Sequence, residues 1–169
     1  LKAKKNFPIR GKEKEIKMKH LLLSIVIGLS SVGAATDNAL SDPSEAKATD
    51  EAVARLDEAH TLFQQERYEE SISALERLRV DIPVHPLTRL SLLIVYDLAA
   101  NYERMFLRKL GTIEQQRENI NKAIEYFEQI IRAVGLNTTF KDFLEKSTHS
   151  LKEARQEKAE FELRHAASN

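Results

Sequence analysis

Leu90, Leu92, Leu93, Ile94, Val95, Leu98, Ala99, Tyr102, Met105 and Phe106 crowd into one short stretch of the chain. Wound at 3.6 residues per turn, they surround a helix instead of marking one stripe along it. A helix that is apolar on most sides has to be flanked on most sides. The segment from about 86 to Leu107 therefore predicts the central helix of an all-α domain. A buried strand at Leu92–Val95 is the rival reading, and the length of the apolar pattern favours the helix.

The neighbouring segments carry the stripes such a helix needs. Val53, Leu56, Ala59, Leu62 and Phe63 recur at spacings of three and four, which predicts a helix over about 50–66, with Asp50 placed to cap it. Glu66-Arg67 forms a tight turn. A second helix runs from Tyr68 to about Asp81, with Tyr68, Ile72, Leu75 and Leu78 inward, and Pro83 and Pro86 stop it. After the central helix, residues 108–119 are mostly polar and contain Gly111, and they read as an insertion. Ile120, Ala123, Ile124, Phe127, Ile130 and Ile131 define a fourth helix to Val134, closed by Gly135. Asn137 starts a last long helix, 137–165. Its stripe of Phe140, Leu144, Ser147, Leu151, Ala154, Lys158 and Phe161 is heptad-like, weakened by Ser147 and Lys158.

The amino-terminal region reads differently. Met18-Lys19-His20 is a short basic start. Leu21–Val32 is an apolar run of twelve interrupted only by Ser and Gly, and Val32-Gly33-Ala34 supplies small residues. That is the layout of a secretory signal peptide over 18–34, with cleavage expected before Ala35. A membrane-spanning helix would need roughly 20 apolar residues. Residues 1–17 are lysine-rich without a core pattern and are read as a non-native or extended amino-terminal region, Met18 being the natural start. Residues 35–49 are small, polar and aperiodic, as expected of a flexible linker.

The leader also masks the charge of the mature chain. The full sequence is formally neutral, but residues 1–34 hold eight Lys/Arg against two Asp/Glu. The remainder therefore carries 18 basic and 24 acidic groups, a net charge of −6. A mildly acidic domain lacks the basic stripe a nucleic-acid binder uses to neutralise phosphates. It also gains nothing from an anionic membrane surface, so no stable membrane insertion is expected once the signal is removed. The absence of Cys excludes disulfides, thiolate metal sites, a thiol nucleophile and a lipidated cysteine.

Ala59-x-x-Leu62-Phe63 succeeded by Tyr68, Ser71-Ile72, Leu75, Leu78 and Pro83 resembles a tetratricopeptide repeat. That family packs antiparallel helix pairs in units of about 34 residues. A small residue at Ala59 would admit the second helix closely, Tyr68 would wedge the turn, and Ser71 would pack against the next unit. Leu98-Ala99-x-x-Tyr102 and Ala123-Ile124-x-x-Phe127 match the two halves of a second unit. Nine residues separate Ala59 from Tyr68 and twenty-one separate Ala99 from Ile120, so the second unit carries about twelve extra residues. A register through Leu110-Gly111 avoids the insertion but puts Glu114 where an apolar residue is needed. The resemblance implies a short right-handed solenoid over 50–165. Unit one would be 50–83, unit two 86–135 with its insertion near 108–119, and 137–165 would cap the end.

In that family the first helices of each pair line a groove that docks a protein or peptide. By carry-over the groove residues are Leu56, His60, Phe63, Gln64, Tyr96, Ala100, Glu103 and Arg104. Leu56, Phe63 and Tyr96 also suit a plain core role. Some members clamp a peptide carboxylate with Lys and Asn, but Leu56, His60, Tyr96 and Ala100 stand in those places, so capture of a peptide terminus is not expected.

No nucleophile, phosphate-loop or metalloprotease motif occurs. His20, His60, His85, His149 and His165 never fall at ligand spacing, and pairs such as Glu69-Glu70 read as solvated helix faces. The expectation is a non-enzymatic scaffold without cofactor or metal, in the periplasm or secreted, docking an envelope protein or peptide. The alternative is a homo-oligomer or holdase-like protein assembling through 137–165, for example as a homodimer.

Overall fold

In the computed structural model the described residues are 43–82 and 87–166. The signal segment, residues 1–17, Pro83, His85 and the first part of the linker lie outside them. Within the described residues the chain is all-helical, with no strand. Its five α-helices are α1 (Pro43–Gln64), α2 (Tyr68–Asp81), α3 (Arg89–Leu107), α4 (Ile113–Val134) and α5 (Lys141–Ala166), and a 3-10 turn over Thr138–Phe140 precedes α5.

Two expectations need correction. A linker reaching residue 49 is too long, because α1 already starts at Pro43. Proline suits a first helical position because its fixed φ is already helical and its missing N–H has no partner to lose there. A fourth helix starting at Ile120 is too short, since α4 begins at Ile113. Thr112 caps it reciprocally with Gln115: the Gln115 N–H donates to Thr112 Oγ1 at 3.2 Å, and the Thr112 N–H donates to Gln115 Oε1 at 2.7 Å. Most of the extra length becomes helix. α3 runs eight residues past Ala99 where α1 runs five past Ala59, and α4 starts seven residues before Ile120.

α3 is the centre. Every residue from Ser91 to Glu103 is buried, polar ones included. A second reciprocal cap starts it, with the Ser91 N–H donating to Thr88 Oγ1 and the Thr88 N–H donating to Ser91 Oγ, both at 3.0 Å.

Sequential helices run antiparallel. Arg55 meets Asp81 and Phe63 meets Tyr68 between α1 and α2. Tyr96 meets Phe127 and Lys122 covers Tyr102 between α3 and α4. Arg117 meets Glu162 and Glu128 meets Arg155 between α4 and α5. Alternate helices also touch. His60 of α1 reaches Asp97 of α3, Arg89 of α3 reaches Asp142 of α5, and Tyr126 of α4 reaches Glu76 and Arg79 of α2.

The residues with repeat-like spacing are interior. Ala59, Tyr68, Ser71, Leu75, Leu98, Ala99, Tyr102, Ala123 and Phe127 are buried, and Leu62 is half-buried. The Ser71 hydroxyl donates to the Ala59 carbonyl at 2.8 Å. The added turns of α3 and α4 form a small core of their own, in which Phe106, Ile120, Ala154 and Phe161 meet. Phe106 and Phe161 pack edge to face at 5.4 Å. On α5 the inward stripe includes Phe143, with Leu144 only half-buried, as is Phe140 in the turn before it. Among the described residues no helix is long and apolar enough to cross a membrane.

Candidate docking surface

α3 touches α1 through the His60–Asp97 contact and α5 through the Arg89–Asp142 contact. The eight groove residues expected on α1 and α3 divide by exposure. Gln64 is exposed, and His60, Phe63 and Arg104 are half-buried. Leu56, Tyr96, Ala100 and Glu103 are buried and supply packing, not an open contact surface. Phe63 lies edge-on to Tyr68 at 5.5 Å, and Tyr96 lies edge-on to Phe127 at 5.7 Å. In both cases an aromatic ring on the first helix of a pair meets one on the second and fills the space between them.

The strongest polar feature lies beneath this surface. His60 Nε2 and Asp97 Oδ2 are hydrogen-bonded at 2.6 Å, with side chains 14% and 4% exposed. Burial pulls the His60 pKa down, but the hydrogen bond and charge of Asp97, with Asp57 adding to them, raise it above the ordinary imidazole value. Burial drives the Asp97 carboxyl upward, and the imidazole opposes that shift. One turn on, Asn101 is 1% exposed and donates to the Asp97 carbonyl at 2.9 Å.

Tyr96 forms a second polar point. Burial pushes its phenol up to about 12, a hydrogen bond with Ser150 of α5 opposes this, and the charges of Glu103, Asp97 and Glu153 add to the rise. Carboxylates from α3 and α5 thus act on one buried ring. Asp97, Asn101 and Ser150 were not among the expected site residues. Asp97 had a visible signal, because it is the one acidic residue between Leu90 and Ala100 and a buried carboxylate needs a partner.

Elsewhere the surface offers less. A shallow cavity of about 200 Å³ lies beside the α1–α2 turn, lined in part by Tyr68, Met105 and Leu110. Charges beside it are already engaged, Glu66 with Arg108 and Arg67 with Glu70. The outward face of α5 is charged, with Lys141 paired to Glu145 and His149 to Glu153 at i,i+4 spacing. Among the described residues no group of three His, Cys, Asp or Glu side chains converges on a point. No protein-family model, curated protein or solved structure matches the chain.

Proposed function

We propose that this chain is an exported, non-enzymatic scaffold of the bacterial cell envelope, built as a short tetratricopeptide-like solenoid that docks a protein or peptide. In this reading α1–α2 and α3–α4 are successive helix pairs and α5 is the cap. The observation that carries it is the pattern of alternate contacts. α1 touches α3, α3 touches α5 and α2 touches α4, as stacked pairs with their first helices in one layer would do. The full burial of Ala59, Ser71, Ala99 and Ala123 supports close approach at the positions where the repeat needs small side chains. The twelve extra residues of the second pair are absorbed largely by longer helices that α5 covers.

The partner would meet the rim left open on the first-helix layer: Gln64, Arg104 and the accessible edges of His60 and Phe63. Export rests on the Met18–Ala34 pattern. Assembly through α5 has less support, because its free face is laced with charged pairs instead of an apolar seam.

The test is to express the chain with its leader and purify it from envelope extract. It should begin at Ala35 and retain one protein in stoichiometric amount. Recovery only from the cytosol with the leader intact would overturn export. Purification without any stoichiometric companion would overturn the scaffold.

A further inference from the structure

We propose that the His60–Asp97 pair is a pH-operated latch, which holds α1 against α3 and loosens it as the pH rises past the point where the pair gives up its shared proton. The geometry carries this. The two side chains come from positions 37 residues apart in sequence and meet at 2.6 Å. Both are largely removed from water, at 14% and 4% exposure. The ion pair that joins the turn after α1 to the residue after α3, Glu66–Arg108, is open to solvent at 57% and 42%, and such pairs hold little.

Among the described residues, the charges that shift the imidazole are Asp97 from α3 and Asp57 from α1, both negative. Losing a proton to bulk water turns the imidazolium into neutral imidazole. It leaves the Asp97 carboxylate buried with a hydrogen bond but without the imidazolium's charge, which the interior penalises. Because the His60 pKa is raised on folding, its contribution is fully present below the ordinary imidazole pKa and is lost as the pH rises through the folded-state value. Burial pushes the Asp97 carboxyl upward and the imidazole opposes it; the two groups hold one proton between them, so Asp97 adds no second titration. His60 also belongs to the proposed docking rim, but the exchange experiment reads only how the first helix is seated, so it can fail or succeed whatever the protein docks.

Hydrogen exchange on the full chain between pH 6 and 9, corrected for intrinsic exchange, reads the latch directly. Protection of Ala52–Gln64 should fall by up to about tenfold per pH unit, the limit for one linked proton, while the cores of α4 and α5 hold theirs. Asp97→Asn should flatten that dependence. Protection in α1 that tracks α4 and α5 at every pH overturns the proposal, as does an Asp97→Asn chain that keeps the wild-type pH dependence. Should that variant not fold, proton NMR of the unaltered chain decides. His60 must titrate above the ordinary imidazole value, and a value equal to or below it overturns the latch.

Discussion

Among the described residues, two that are not glycine sit in the left-handed region, Glu66 at φ 63 and Lys109 at φ 55. Each lies two positions past a helix end, where the chain reverses, and an L side chain there crowds the following carbonyl. Lys109 is exposed, so its side chain adds little to the packing. Lys109→Gly should therefore stabilise the fold by about 0.5–1 kcal/mol, the relieved strain less the added freedom of the unfolded glycine; thermal unfolding read by circular dichroism checks it. Ala59 behaves oppositely. It is 1% exposed and accepts the Ser71 hydroxyl, so Ala59→Leu would push α2 away and cost about 1–3 kcal/mol. At this scale the small and aromatic positions were readable from spacing, because close approach admits few residue types. The His60–Asp97 pair was not, because its partners lie on different helices and only the packing of α1 on α3 joins them.

The extended ends of α3 and α4 form the distinctive part of the element pattern. The start of α4 reads as a polar insertion when only apolar periodicity is considered, since residues 113–119 offer almost no inward stripe. Its signal is local instead: Thr112 and Gln115 have the spacing of a reciprocal cap. Thr112→Ala should cost about 1 kcal/mol and expose the first two turns of α4 to exchange before the rest. Gly111 precedes that cap at φ 82, a conformation that L residues rarely adopt. The early start of α1 was hidden for a related reason: residues 43–49 are small and polar, so helix propensity and a first-turn proline outweigh the missing periodicity. The satellite core depends on Phe161, which is 3% exposed and packs on Phe106. Phe161→Ala should cost about 3–5 kcal/mol and fray the last turns of α5. Exchange should rise first in α5 and in the start of α4, with α1 and α2 unchanged.

At the scale of the whole molecule, an all-helical class with a central α3 was legible for the described residues, because a helix apolar all round leaves few arrangements open. The exposure of the expected groove positions was legible only in part. Carry-over by spacing assigned eight residues to the groove, and burial withdraws Leu56, Tyr96, Ala100 and Glu103. A periodicity places a residue on a face, but it does not say whether the next helix covers that face. Tyr96 illustrates this: Phe127 of α4 and Ser150 of α5 both reach its side chain. What remains accessible on α1 and α3 from that set is Gln64 with parts of His60, Phe63 and Arg104.

The docking claim is tested most directly by site-specific photo-crosslinking in the envelope of intact cells. A photoreactive side chain placed at Gln64 or at Arg104 should give the same single protein adduct. The same group at Lys152 or Glu160, on the solvent face of α5, should give none. Adducts arising only from the α5 positions, or none from Gln64 and Arg104, would contradict the account.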